Sequence, residues 1–204
     1  MFPSLPPVTR AILLANVAVF LLQQVARDQL LALFALWPLG HPLFKPWQLL
    51  TYAFLHEGEL RHGEFTHIFF NMFALYMFGG TLEQFWGGRR FAIYYLVSVL
   101  AAAATELAVQ VASNVGEPVI GASGGVFGLL LAFAWYFPRQ KLMLLFPPIP
   151  MPAWLFVSLY GALELVLGVT GSQEGVAHFA HLGGMLGGAM IILYWRTRGR
   201  FEGR

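Results

Sequence analysis

The sequence predicts an all-α membrane protein, a bundle of six transmembrane helices with a partly embedded first loop, and three observations carry that expectation. Of its 204 residues, 58% are hydrophobic and 11% charged, against about 45–50% apolar and about 25% charged in an ordinary soluble domain. Apolar surface in water costs roughly 25 cal/mol per Å², so a mean hydropathy of +0.66 calls for a second apolar medium. Six stretches approach the roughly 20 apolar residues that cross a hydrocarbon layer about 30 Å thick. The Lys and Arg residues, finally, gather between those stretches and fall unevenly on their two sides.

The first span runs from about Ala11 to Ala26, and a cleaved signal peptide is the weaker reading because no small-residue cleavage site ends it. The second lies between Glu64 and Glu83, an uncharged run holding His67 and Asn71. The third covers about Phe91 to Val111, interrupted by Glu106, and the fourth lies within Pro118–Phe137. The fifth runs from about Trp154 to Thr170 around Glu164, and the sixth from about Val176 to Trp195. Between spans one and two, Leu30 to Leu55 is too apolar for a simple loop; Pro38, Pro42 and Pro46 break it, and Trp37 and Trp47 suit an interface. Pro147, Pro148, Pro150 and Pro152 break the chain before span five, and Gly171–Gly175 makes a short turn before span six.

Nine of the twelve Lys and Arg residues fall on one side of these spans and three, Arg27, Lys45 and Arg61, on the other. By the positive-inside rule both termini are cytoplasmic, as an even number of spans requires. Residues 1–204 are expected to form a single integral-membrane domain. The absence of Cys removes disulfides, thiolate metal sites and a cysteine nucleophile. The basic residues form no stripe or motif, so the expected partner is the lipid bilayer and not nucleic acid.

A polar side chain inside a membrane is expensive and is a functional candidate by default. In span two, His67 and Asn71 stand four apart on one helical face. The fourth segment opens Gly121-Ala-Ser123-Gly124-Gly-Val-Phe127-Gly128, one hydroxyl among glycines, and span six opens with His178 and His181 before Gly183, Gly184, Gly187 and Gly188. Each signal alone has a plain structural explanation. Serine bonds back to its own helix, and Gly124/Gly128 or Gly184/Gly188 mark close helix packing. Together they supply what acyl transfer requires: a nucleophile, a base, donors for an oxyanion and backbones that approach closely. Ser123 is expected at a helix N-terminus, where unpaired N–H groups favour a developing negative charge. His181 reaches it if spans four and six pack through their glycines, with Phe127 one turn on.

The three motifs His67-x-x-x-Asn71, Gly121-x-Ser123-Gly124 and Ala180-His181-x-x-Gly184-x-x-x-Gly188 lie in this order on spans two, four and six. With Gly79-x-x-x-Glu83-x-x-x-Gly87 they make a chain that resembles the rhomboid intramembrane serine proteases, in their compact bacterial form of six spans, over roughly Trp47 to Gly188. The resemblance implies an endopeptidase of the bacterial inner membrane that cleaves transmembrane protein substrates, with no cofactor. It implies a Ser123–His181 dyad, with the Ser123 backbone, His67 and Asn71 as oxyanion site and Phe127 stacking near His181. Glu83 would hold the loop after span two. Trp47 matches a first-loop Trp of the family, Gln48 stands where Arg often follows, and His62 matches a secondary histidine.

Competing chemistries are poorly supported. An aspartyl protease needs two embedded Asp residues, and the chain has only Asp28. A zinc protease needs His-Glu-x-x-His, but His56-Glu57 is followed by Leu60 in place of the second His. His178 and His181 lack a third metal ligand in the sequence, so no metal is expected. Paired interrupted spans, the mark of a transporter, are absent. The serious rival is a non-catalytic module of the same fold that binds membrane helices; inactive relatives of the family lack the Ser or the His, and both are present. A substrate would pass sideways between spans two and five, with Trp154 and Phe156 as gate residues, and water would reach the site beneath the Gly171–Val176 turn. The roles of Glu106 and Glu164 are not assigned by any motif.

Overall fold

A computed structural model describes residues 5–114, 116–143, 148–171 and 177–199. Helix covers every one of the six predicted segments: α1 (Pro7–Phe34), the run of α3 (Thr66–Ala74), a π-helical stretch (Leu75–Gly79) and α4 (Gly80–Trp86), then α5 (Gly88–Ser113), α6 (Ser123–Tyr136), α7 (Ala153–Thr170) and α8 (His178–Thr197). The first loop carries α2 (Gln48–Thr51) and two 3₁₀ turns, Tyr52–Phe54 and Leu60–His62. Helices α1, α5 and α7 are each long and apolar enough to cross a membrane.

Two details differ from the sequence reading. Helix α1 continues to Phe34, with non-helical backbone at Ala26 where the span was expected to end, so the irregular part of the first loop begins only at Ala35. Before α7 the chain forms a two-stranded antiparallel ribbon, β1 (Lys141–Met143) on β2 (Pro150–Pro152), with Lys141 opposite Pro152. Proline fixes φ in the extended range, so the prolines that stop one helix also prepare a strand; Pro147 lies outside the described residues. The ribbon seats α7: the Ala153 N–H donates to the Gln140 carbonyl at 2.8 Å and that of Trp154 to Pro138 at 3.3 Å.

Helix α8 packs between α5 and α6 on two rows of glycine. A Cβ at Gly184 would overlap the Gly124 carbonyl of α6, and one at Gly187 would overlap Ala101 of α5. A Cβ at Gly183 would meet Thr105 Oγ1 at 2.5 Å, and one at Gly124 would meet Ala102 at 2.5 Å. The backbones are therefore as close as side-chain-free helices allow. The Tyr94 hydroxyl of α5 donates to the Gly128 carbonyl at 2.7 Å and locks the third side.

The first loop is tied down by buried polar side chains that bond to its backbone. Gln48 is fully buried; its amide N–H groups donate to the carbonyls of Leu33 and Leu43 at 3.2 and 2.8 Å, and its oxygen accepts from Lys45 N at 3.1 Å. Gln23 of α1 exchanges two bonds with the His56 backbone, at 2.9 and 3.1 Å. Glu83 accepts from the N–H groups of Val8 and Thr9 at 3.0 and 2.6 Å and from the Thr9 hydroxyl at 2.8 Å. Those two N–H groups open α1 and have no intrahelical acceptor, so this carboxylate caps a helix 74 residues away, a partner the sequence did not indicate.

Gly184→Val is expected to cost about 3 kcal/mol, at the upper end of overpacking, because neither backbone at the α6–α8 contact can yield. Thermal unfolding in detergent checks it; an unchanged melting temperature would show the two helices free to separate.

Candidate active site

The turn before α6 is held by the first loop. Val119 pairs with Leu36 through bonds of 2.9 and 3.0 Å, and the Gly121 N–H donates to the Tyr52 carbonyl at 3.0 Å. Gly121 has φ +126°, a conformation side chains disfavour, and a Cβ there would also lie 2.9 Å from His67 Nε2. Ser123 follows as the first residue of α6, where the backbone N–H groups of the first turn point away from the helix unbonded.

His181 stands one turn into α8, and its Nε2 is 2.8 Å from Ser123 Oγ. Phe127, four residues after Ser123, stacks on the imidazole with centroids 4.2 Å apart and planes 6° apart. It also meets Tyr160 of α7 at 5.0 Å. The other ring nitrogen, His181 Nδ1, is 2.8 Å from Glu164 Oε2, and the same oxygen is 2.7 Å from His178 Nδ1.

His67 lies in the first turn of α3. Its Nδ1 accepts the Glu57 backbone N–H at 3.2 Å, so the ring proton belongs on Nε2, the atom beside Gly121. Asn71, one turn further, donates one amide N–H to the His67 carbonyl at 3.0 Å and keeps a second. The packing glycines Gly124 and Gly184 adjoin the site, and Gly188 lies one turn below against Tyr94. Glu83 is not at the site; it caps α1. His62 is exposed and pairs with Glu59 at 3.6 Å. His56, in contrast, is buried with its ring 5.1 Å from that of His67.

Two acids left unassigned by the sequence also converge here. Glu106 of α5 meets the Ala180 backbone in the first turn of α8 and faces both imidazoles. Glu164 supplies the third polar atom beside His178 and His181, so the expectation that a third metal ligand is missing does not hold: the three donor atoms lie within 4.8 Å of one another. One carboxylate oxygen at 2.7 and 2.8 Å from two ring nitrogens nonetheless has hydrogen-bond spacing, whereas tetrahedral zinc would hold its donor atoms about 3.3 Å apart. The signal for Glu164 was in the sequence, an acid within an apolar span, but its partners were not.

Trp154 at the start of α7 is half exposed, and Phe156 packs with Phe78 of the π-helical stretch against the small cluster of Phe127, Leu130 and Val157. Of the turn expected to cover the site, residues 172–176 lie outside the described residues.

Fold and site together define a helical integral membrane protein whose scarce polar side chains meet around one serine. The chain belongs to the rhomboid family, whose Rhomboid domain model matches residues 43–198. It is 29% identical over 184 residues to "Rhomboid protein 1, mitochondrial" of Saccharomyces cerevisiae, across 80% of this chain and 50% of that protein. It is 30% identical over 130 residues to "Rhomboid protease GlpG" of two Klebsiella pneumoniae strains, across 63% of this chain and 43% of theirs. The chain spans half or less of the length of these relatives.

Gly121→Ala is expected to lower stability by roughly 1–3 kcal/mol through its backbone conformation, plus a steric part against His67. In a His67→Ala background only the steric part should vanish, and melting curves of the four proteins separate the two; full recovery would mean the φ angle carries no strain.

His56 lies in the loop before α3, and burial, with the His67 ring beside it, pushes its pKa from 6.5 down to about 3. The unfolded chain takes up a proton below about pH 6.5 that the folded protein refuses. Stability from this group is therefore intact above that pH and is lost as pH falls toward 3. A His56→Phe protein should melt with a shallower fall between pH 6.5 and 5 than the parent; equal slopes would exonerate His56.

Proposed function

We propose that the protein is an intramembrane serine endopeptidase that cleaves transmembrane helices of membrane-protein substrates through Ser123 and His181. The observation that carries this reading is the 2.8 Å contact between Ser123 Oγ and His181 Nε2, made in the interior of an apolar helical protein. Membership of a family in which the Klebsiella relatives are named proteases supports it.

In this reading six helices cross the bilayer, and both termini face the cytoplasm of a bacterial inner membrane, the side with nine of twelve Lys and Arg residues. A substrate helix passes between span two and α7, near Trp154 and Phe156, and unwinds locally because an intact helix engages its own carbonyls. His181 Nε2 takes the Ser123 proton as Oγ bonds to the peptide carbon. The carbonyl oxygen, now negative, receives hydrogen bonds from the Ser123 backbone N–H, His67 Nε2–H and the free Asn71 N–H. His181 returns the proton to the leaving amine, and water then hydrolyses the acyl-serine with the same base. Phe127 presents an aromatic face to the imidazolium formed in between, a contact worth about 0.5–2 kcal/mol.

Ser123→Ala is expected to abolish cleavage of a transmembrane reporter in proteoliposomes while its melting temperature holds. A fluorophosphonate should label the parent protein at Ser123, and the labelling should require His181. A folded Ser123→Ala protein that still cleaves would remove the serine from its role; a protein that binds the reporter without labelling or cleavage would be the non-catalytic module.

A further inference from the structure

Helix α7 buries three residues, Ala153, Val157 and Glu164, while Leu159, Leu163, Val166 and Val169 of the same helix are exposed and apolar. An acid turned inward from such a helix is costly in a membrane and needs partners that offset the loss of water. Among the described residues Glu164 has two, both imidazoles, both on one oxygen.

We propose that Glu164 is a positioning residue that converts the Ser123–His181 pair into a Ser–His–Glu triad; the inference rests on the protease reading above. A neutral imidazole carries one N–H. To take the serine proton, His181 must leave Nε2 unprotonated and carry its hydrogen on Nδ1. A carboxylate can only accept, so Glu164 Oε2 at 2.8 Å from Nδ1 selects that tautomer and fixes the ring plane. The same oxygen stands opposite the positive charge that appears when Nε2 gains the proton. His178 donates from Nδ1 to this oxygen at 2.7 Å, which pins the carboxylate while leaving its negative charge in place. No proton passes to Glu164 at any step: the hydrogen on Nδ1 stays there, and Nε2 alone receives and returns one.

The triad is assembled from three helices. The serine comes from α6, the base from α8 and the acid from α7. Among the described residues, the other titratable groups facing this cluster are Glu106 of α5, His67 of α3, His178 of α8 and Tyr160 of α7. Of the two acids, only Glu164 bonds to His181; Glu106 faces the imidazoles from the Ala180 backbone. Removing Glu164 therefore deprives the base of the one acceptor bonded to its Nδ1 among the described residues.

The test uses the full chain in proteoliposomes with a transmembrane reporter, comparing the parent, Glu164→Gln and Ser123→Ala. Glutamine keeps the shape and loses the charge. Its kcat is expected to fall by about 10²–10⁴-fold with KM nearly unchanged, and the acid limb of kcat/KM should move to lower pH, because the imidazolium loses its counter-charge. A purely structural role would move stability and leave that limb where it was. Unaltered kcat and pH profile in Glu164→Gln, beside an inactive Ser123→Ala, would overturn the triad alone; an active Ser123→Ala would overturn the protease reading instead. Should Glu164→Gln fail to fold, histidine ¹⁵N NMR of the parent protein decides the matter. A protonated Nδ1 and bare Nε2 on His181 support the proposal, and the opposite tautomer overturns it.

Discussion

The approach of α6 to α8 at Gly124 and Gly184 determines most of what else the molecule can do. Ser123 is the residue before Gly124, and His181 is one turn before Gly184, so a contact between the two glycines brings hydroxyl and imidazole together without any further adjustment. In lipid the hydrophobic effect gives helices little reason to associate, and close packing must supply it. Glycine supplies it here twice over: one row on α8 faces α6, the adjacent row faces α5, and the Tyr94 bond to the Gly128 carbonyl closes the triangle. Packing and site geometry are thus one constraint, and the rigidity that a hydrogen bond of 2.8 Å needs comes from backbone rather than from side-chain fit.

How much of this was legible depended on whether a signal was local. Six apolar stretches and the residues that interrupt them can be read along the chain, and helix lies on each stretch. The glycine spacing pointed to the α6–α8 contact, because small residues one turn apart have a direct steric meaning. Glu164 and Glu106 were visible as anomalies but not as partners. A helix apolar on every side has no polar face to show its rotation about its own axis, so a single acid within it does not reveal which neighbour it meets. Glu83 illustrates a second limit: its acceptors are used by a helix start 74 residues away, and nothing in the local pattern of either segment refers to the other. The β1–β2 ribbon escaped for a third reason, since prolines that end a helix are equally at home in extended chain.

Among the described residues three acids are buried, and each meets polar partners. Glu83 meets the first N–H groups of α1, Glu106 meets the first turn of α8, and Glu164 meets two imidazoles. Glu83 and Glu164 answer donors that would otherwise lie unsatisfied in a medium without water, where such groups cost several kcal/mol, whereas Glu106 accepts the Gln110 amide at 3.2 Å beside an Ala180 N–H already bonded to the Ala177 carbonyl. Helix starts and imidazoles are the donors available in a chain with few basic residues inside it. Two of these contacts fall at helix N-termini, those of α1 and α8, and the N-termini of α6 and α8 are where Ser123 and His181 stand.

The length of α6 explains why such a site can exist below a membrane surface. Its 14 residues rise about 21 Å, short of a hydrocarbon layer about 30 Å thick. If its C-terminal end reaches one interface, its N-terminus stops within the layer, and the segment 116–122 must descend to meet it as irregular backbone. Such backbone is tolerated at depth only when protein or a wet cavity satisfies it. Leu36 and Tyr52 of the first loop satisfy part of it, through Val119 and Gly121. The N–H groups that start α6 remain directed away from the helix beside His67 and Ser123, and these are the groups that the proposed oxyanion would need. A longer, better-buried α6 would cross the bilayer more comfortably and would carry its N-terminus to the surface, where water would compete for every donor that the proposed reaction would use.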